Sequence, residues 1–243
     1  MDHHLLPIAL DEPFRFSCSP EVPCFNDCCR DLNQFLTPYD ILRLKSHLKL
    51  SSGEFLERYT SQHIGPESGL PIITLKTSSP SQLTCPFVTA EGCMVYESRP
   101  SSCRTYPLVR ATLRSRETGR INERFMVLKE PHCLGFNHGR RRTVRDWVQE
   151  QGIANYNESN DSLMEIISLK NRSRPGPLDI KSKHVFYTTL YDLDGFRHQV
   201  QTKGLLMGFK ANGDLMNRAI EDDDVALLEL GIKWIKHVLF GII

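Results

Sequence analysis

The clustering of cysteines constrains this chain more than any other feature of its sequence. Of the eight cysteines in 243 residues, four follow one another in the pattern C-x5-C-x3-C-C, and the other four return in the middle of the chain. The eight positions are Cys18, Cys24, Cys28, Cys29, Cys85, Cys93, Cys103 and Cys133. A fold that gathers them would hold enough thiols to bind metal.

The N-terminal sequence helps to decide between metal binding and disulfides. It has no basic segment ahead of an apolar run, and the short apolar run from Leu5 to Leu10 contains Pro7 and is followed by two acids. This pattern is not that of a signal peptide, so we expect a cytoplasmic protein. Because thiols stay reduced in the cytoplasm, clustered cysteines there are more often metal ligands or catalysts than disulfides. Disulfides are the second interpretation.

The balance of charge argues against two classes of partner. With 30 Lys and Arg against 29 Asp and Glu, the chain has no overall field that would attract nucleic acid or an anionic membrane. The one basic run, residues 140–142, is typical of a solvated surface turn. The most apolar segment, 225–243, contains charged residues that a lipid-spanning helix would not tolerate. We therefore predict no nucleic-acid or membrane binding, and leave an unknown protein partner open.

Periodicity and capping signals predict mostly helix with a small amount of sheet. Capping boxes at Thr37 and Ser51 predict two helices between the cysteine groups, and Thr143 begins another that ends by Gly152. Further helices are expected over residues 162–170, 186–206 and 223–240, with a linker at 171–177. We predict an α+β fold with a small antiparallel sheet or hairpin and a cysteine-ligated centre. Residues 1–170 would form the metal-binding domain, and residues 171–243 a helical extension packed on it as one compact unit.

An alternating pattern predicts a β-hairpin in the middle of the chain. Residues 109–114 alternate apolar and polar side chains, and 121–128 form a second β-prone run after a turn at Gly119. Antiparallel pairing would bring Cys103 and Cys133 to the same end of this hairpin. Residues 71–75 and 94–96 are candidate strands beside it, which would leave Cys85 and Cys93 in loops.

The chemistry of thiolates indicates a metal or cluster site. Thiolates are soft donors, and four of them complete a tetrahedral zinc site or ligate one iron–sulfur cluster, so eight suffice for two centres. Adjacent residues point in divergent directions, which lets Cys28 and Cys29 serve different centres. The wide spacing of the cysteines and the Cys85-Pro86 step favour iron–sulfur clusters, and two structural zinc sites are the alternative. His132 or His138, which flank Cys133, could replace a cysteine ligand.

Several motifs together resemble one known family. After the first cysteine group come Cys85-Pro86-Phe87, Gly92-Cys93-Met94-Val95-Tyr96, Arg99-Pro100-x-x-Cys103-Arg104-x-Tyr106-Pro107-Leu108 and His132-Cys133-x-Gly135-Phe136. Over residues 14–150 these motifs resemble the bacterial YkgJ-type cysteine-cluster family, which is described as a zinc- or iron-chelating domain and named for a C-x2-C-x2-C-C motif. The C-x5-C-x3-C-C spacing here departs from that motif, which leaves the role of Cys18 open.

The resemblance also implies an enzymatic alternative. A related branch resembles flagellin lysine N-methylases, which implies S-adenosylmethionine as methyl donor beside a cysteine-bound cluster. The chain has no G-x-G-x-G loop after a strand, so a Rossmann-type methyltransferase site is not expected. Two hypotheses follow: a cluster protein with a structural, redox or sensory role, or a cluster-dependent protein-modifying enzyme. The enzyme would need an open cofactor pocket beside the cysteines, to which we assign Arg104 and Tyr106.

Overall fold

The computed structural model describes residues 4–30, 33–78, 83–115, 118 and 120–242. Within them, the strands are β1 His4–Ile8, β2 Pro13–Arg15, β3 Phe35–Leu36, β4 Thr60–Ile64, β5 Pro71–Leu75, β6 Val88–Thr89, β7 Gly92–Cys93, β8 Leu108–Arg114, β9 Ile121–Lys129 and β10 Arg141–Thr143. The helices are α1 Pro38–Leu48, α2 Ser52–Tyr59, α3 Ser101–Thr105, α4 Val144–Glu150, α5 Ala154–Ser173, α6 Ile180–Leu190, α7 Leu193–Lys203, α8 Gly213–Glu221 and α9 Asp224–Phe240. The mainly helical α+β class with small antiparallel sheets is confirmed.

By their internal contacts, the described residues form two compact units. The first comprises the described residues within 1–32, 78–96 and 101–155, and the second those within 33–77, 97–100 and 156–242. All eight cysteines belong to the first unit. The boundary at residue 170 and the packing of residues 171–243 on the metal-binding domain stay predictions.

A three-stranded antiparallel sheet supports the first unit. The predicted hairpin is confirmed as β8 and β9, with Leu108 opposite Val127 and Arg114 opposite Ile121. Strand β1 pairs with the other edge of β9, so the order is β1-β9-β8. We did not predict β1, because Pro7 interrupts its apolar run and its pairing partner lies more than a hundred residues away in sequence.

One apolar cluster fixes the chain on either side of the cysteines. Phe14 and Phe16, which precede the first cysteine, pack with residues of β8, β9 and α4. The buried members are Phe14, Phe16, Leu108, Phe125, Val127, Val144, Trp147 and Ile153. Helix α4 begins at the predicted capping box, in which Thr143 and Asp146 satisfy each other's backbone N–H groups. The cysteine loops thus start and end on rigid elements.

The second unit differs from the prediction in its sheet. Strand β5 occurs where predicted but pairs with β3 and β4 in the order β3-β5-β4, not with the hairpin. The predicted strand at 94–96 is wrong, because Gly92–Cys93 forms the strand and a 3₁₀ helix begins at Tyr96. The capping boxes that begin α1 and α2 are confirmed.

The boundaries of the C-terminal helices agree better with the capping residues than with the periodicity of the apolar residues. The helix predicted over 186–206 is two helices, because Asp192 accepts the backbone N–H of Gly195 and begins α7. Helix α5 is longer than the predicted 162–170 and extends into the predicted linker, and α8 was not predicted. Asp223 caps α9, as the acidic run before it indicated. Among the residues described, no helix combines the length and apolar character that a membrane crossing requires.

Candidate metal centre

The eight cysteines lie on four short segments of the first unit. Cys18, Cys24, Cys28 and Cys29 follow β2, Cys85 and Cys93 lie before and within the β6–β7 hairpin, Cys103 is in α3, and Cys133 follows β9. No disulfide joins any of them, and all eight are within the described part of the chain. Cys18, Cys28 and Cys103 are exposed, and the others are half-buried.

Tight turns position the first cysteine segment. Successive hydrogen bonds from Val22 to Ser19 and from Phe25 to Val22 coil the chain after Cys18. Asn26 adopts a left-handed conformation (φ 70°), which asparagine tolerates better than most residues, and a 3₁₀ helix over Asp27–Cys29 follows. The Asn26 side-chain amide donates to the carbonyl of Thr89 at 3.0 Å. The cysteine segment is therefore attached to the β6–β7 hairpin.

Four cysteines line one small cavity. Cys18, Cys24, Cys28 and Cys133 line it together with Phe16, Tyr106 and His132, and we call these four the cavity cysteines. The Cys24 Sγ accepts the backbone N–H of Leu134 at 3.1 Å. The cavity volume is about 20 Å³, roughly the space of one water molecule. A single metal ion fits such a space, an iron–sulfur cluster would need the surrounding thiols to move apart, and the much larger S-adenosylmethionine does not fit.

The remaining four cysteines lie around Cys29 and Cys85, and we call them the lateral cysteines: Cys29, Cys85, Cys93 and Cys103. The backbone N–H of Cys85 donates to the carbonyl of Cys29 at 2.8 Å. Charge on Cys85 or Cys103 disfavours ionisation of Cys29, and charge on Cys93 disfavours ionisation of Cys85. Such effects act over several ångströms, and the charge of Cys28 acts on Cys85 as well, so the grouping of the lateral cysteines is our inference from these effects and from the Cys29–Cys85 backbone contact.

Cys28 and Cys29 connect the two groups. The Cys29 thiol donates to the Cys28 sulfur, and this hydrogen bond lowers the pKa of Cys28 to about 7 against the partial desolvation of its sulfur. The same hydrogen bond, followed by burial and the charge of Cys28, raises the pKa of Cys29. One of the two adjacent thiols is therefore prepared to ionise near neutral pH, and a thiolate is the form that binds metal.

Backbone N–H groups approach the sulfur atoms of two further cysteines. Burial raises the pKa of Cys85, but the N–H groups of Phe87 and Val88 donate to its sulfur and oppose that effect. Burial likewise raises the pKa of Cys133, and the nearby Tyr106 hydroxyl and Gly135 N–H act in the opposite direction. Donors placed at a sulfur stabilise its anion, and such contacts tune metal–thiolate centres.

The described side chains do not form a complete metal coordination shell. Among the described residues, no three Cys, His, Asp or Glu side chains converge as the ligands of one ion do. The donor set nevertheless suits a soft metal, because the thiols are grouped and backbone amides donate to their sulfur atoms. In addition, the Tyr106 hydroxyl is buried beside Cys133 and has no partner of standard hydrogen-bond geometry in the described chain.

The two residues assigned to cofactor binding lie in different surroundings. Tyr106 lines the cavity. Arg104 is buried, and its guanidinium donates to the carbonyl of Gln151 after α4. That contact gives Arg104 a role in holding α3 against the end of α4, and its assignment to a cofactor stays a prediction.

Sequence reasoning weighed His132 as a ligand and missed Glu130. His132 lines the cavity, and its Nε2 lies 3.8 Å from the Glu130 Oε2. The Glu130 side chain is only 18% exposed, and its charge acts on both Cys28 and Tyr106. The sequence signal for Glu130 was its position three residues before Cys133. In the structure the Cys133 N–H donates to the Glu130 carbonyl in a tight turn, which keeps the two residues close together.

Gly135 is required for the close approach of the Cys133 loop to the first cysteine segment. A Cβ at this position would lie 2.6 Å from both a ring carbon of Phe16 and the carbonyl oxygen of Ser17. We expect Gly135→Ala to destabilise the protein by about 1–3 kcal/mol and to weaken metal retention, because the loop must move away. Urea unfolding and metal analysis measure both effects.

Gly53→Ala is the control for this substitution, since a Cβ at Gly53 meets no atom within 4 Å. It should change the free energy of unfolding little. If the two variants were equally stable, the close approach at Gly135 would be unimportant.

Comparison with known proteins adds one match. Residues 17–134, which include all eight cysteines, match a family model described as "CxxCxxCC: Putative zinc- or iron-chelating domain". The family resemblance inferred from the cysteine motifs is confirmed. No curated protein and no solved structure matches the chain.

Proposed function

We propose that this protein, whose residues 17–134 match the model of the CxxCxxCC zinc- or iron-chelating domain, binds iron as iron–sulfur clusters in two adjacent centres with a redox or sensory role. The observation that carries this proposal is that four of the eight thiols line one cavity while the other four lie on neighbouring segments of the same unit. Four thiolates are the usual ligand set of one cluster.

The cavity cysteines would hold one centre and the lateral cysteines the other. Cys28 lines the cavity, whereas Cys29 is coupled to Cys85 and Cys103, so the adjacent pair contributes one ligand to each. The sulfur-directed N–H groups at Cys24, Cys85 and Cys133 would stabilise the bound thiolates. A bound cluster would supply one-electron chemistry.

Solvent access favours a redox or sensory role over a purely structural one. Cys18, Cys28 and Cys103 are exposed, so both proposed centres have ligands in contact with water. Exposure changes the reduction potential of a cluster and gives oxidants access to its thiolates. Two structural zinc sites are the alternative that the same ligands would serve.

The enzymatic alternative has less support. A modifying enzyme that resembles a flagellin lysine N-methylase would need room for S-adenosylmethionine beside the cysteines. The cavity there has about 20 Å³, far below the roughly 300 Å³ at which pockets for such molecules begin. We therefore propose metal binding without this cofactor.

Anaerobic purification followed by metal and sulfide analysis tests the proposal. We expect about four to eight iron atoms per chain with matching acid-labile sulfide, according to whether the clusters are [2Fe–2S] or [4Fe–4S], and broad visible absorbance. A colourless protein that contains zinc would replace the iron–sulfur assignment with the zinc alternative. A protein that retains neither metal after purification and reconstitution would contradict metal binding altogether.

A further inference from the structure

Tyr106 places a hydroxyl group at the cavity from a fixed ring. The ring packs edge-to-face on Phe16, with 5.6 Å between ring centroids, and Phe16 is itself buried in the apolar cluster of the first unit. Tyr106 lies between α3 and β8, so the chain on both sides belongs to regular elements. The hydroxyl therefore has little freedom to turn elsewhere.

The hydroxyl is buried and lacks a partner of standard hydrogen-bond geometry in the described chain. Buried hydroxyl groups almost always have a partner, so this one is expected to form a hydrogen bond with a group beside it. Two groups beside it can accept: the sulfur of Cys133 and the carboxylate of Glu130. Of the two, Cys133 also lines the cavity that Tyr106 lines.

The phenol can donate a hydrogen bond at this position. Its ordinary pKa is about 10, so the hydroxyl keeps its proton at neutral pH. A thiol is a weak acceptor, whereas a metal-bound thiolate is a strong one. Metal binding at Cys133 would thus make its sulfur a stronger acceptor for the buried hydroxyl.

We propose that Tyr106 is a positioning residue of the cavity centre, and that its hydroxyl donates a hydrogen bond to the Cys133 sulfur once that sulfur is a metal-bound thiolate. This inference rests on the proposed function, because it requires metal at the cavity cysteines. A hydrogen bond to a ligand sulfur withdraws electron density from the metal, which makes a cluster easier to reduce. Tyr106 would therefore raise the reduction potential of the cavity centre and leave the lateral centre unchanged.

Tyr106→Phe in the metal-loaded full chain tests this role, because it keeps the ring packing and removes only the hydroxyl. We expect unchanged metal content, a shift of the sulfur-to-metal absorption bands to longer wavelength, and a lower reduction potential for one of the two centres. If the metal is zinc, cobalt-substituted protein gives the same bands for comparison. Tyr96→Phe is the matched control, since Tyr96 is 49% exposed in the same unit and should change neither bands nor potential.

The results separate this inference from the function on which it rests. Metal-loaded wild-type protein whose bands and potential do not respond to Tyr106→Phe would overturn the role of Tyr106 alone. Wild-type protein without metal would overturn both. Should the Phe variant lose its metal, 3-fluorotyrosine at position 106 gives the answer: its more acidic hydroxyl should shift the bands to shorter wavelength, and unshifted bands would refute the hydrogen bond.

Discussion

Replacing Cys133 by serine should remove about half of the bound metal and leave the other half in place. Cys133 lines the cavity with three other cysteines and lies beside Cys24, but none of its resolved electrostatic partners is a lateral cysteine. Serine keeps the size of the side chain and removes the soft donor. Metal analysis of the purified variant, with the visible spectrum, measures the loss.

Cys85→Ser should give the complementary result. Its sulfur interacts with Cys93 and receives the N–H groups of Phe87 and Val88, so its loss should empty the lateral centre and spare the cavity centre. The double variant should retain almost no metal. Ser17→Ala, which alters a residue at the cavity wall without removing a thiol, is the control and should retain all of it.

The pattern of losses distinguishes two centres from one. If either single variant lost all of the metal, the eight thiols would serve one shared cluster. If neither lost any, the assignment of ligands would be wrong. Within the two-centre arrangement, Cys28→Ser should behave like Cys133→Ser, and Cys29→Ser like Cys85→Ser, because the adjacent pair is divided between the groups.

The parts of the fold predicted correctly are those that short stretches of sequence determine. The capping boxes at Thr37, Ser51 and Thr143 each satisfy backbone groups within four residues, so they work in almost any tertiary context. Strand β1 and the partner strands of β5 depend on long-range pairing that periodicity does not encode. The break between α6 and α7 had a local signal in Asp192, but the apolar pattern across it suggested one helix.

The candidate site was predictable in composition but not in arrangement. The sequence identifies all eight cysteines and the adjacency of Cys28 and Cys29, because grouped thiols are a typical set of metal ligands. It does not reveal which cysteines share the cavity. That depends on the approach of the Gly135 loop to Phe16 and Ser17, which joins segments more than a hundred residues apart.

Lys45→Met should destabilise the second unit by about 2–3 kcal/mol. Lys45 is 6% exposed, and its Nζ lies 2.7 Å from Asp224 and 3.2 Å from Asp194. Removing one partner of a buried ion pair leaves uncompensated charge, which typically costs about 3–5 kcal/mol. We expect less here, because the Asp194 side chain is 38% exposed and Arg197 still pairs with Asp224. Urea unfolding followed by circular dichroism measures the loss.

Lys233→Met is the matched control, because Lys233 and Glu229 form an exposed pair four residues apart on α9. Such pairs contribute about 0.3–0.5 kcal/mol, so this variant should unfold almost like the wild type. Equal losses in the two lysine variants would show that burial adds nothing to the Lys45 interactions.

The effect of Lys45→Met should also depend on pH with a definite sign. Burial raises the pKa of Asp194, but the Ser52 N–H and the charge of Lys45 outweigh it, so the net pKa is lowered from 3.8. A carboxylate with a lowered pKa stabilises the fold above its unfolded-state pKa and loses that contribution as the pH falls through the folded-state value. The stability difference between wild type and variant should therefore be full at pH 7 and shrink below about pH 4, because protonated Asp194 no longer needs the charge of the lysine. A difference that stays constant down to pH 3 would mean that Lys45 acts through packing of its aliphatic chain, not through its charge.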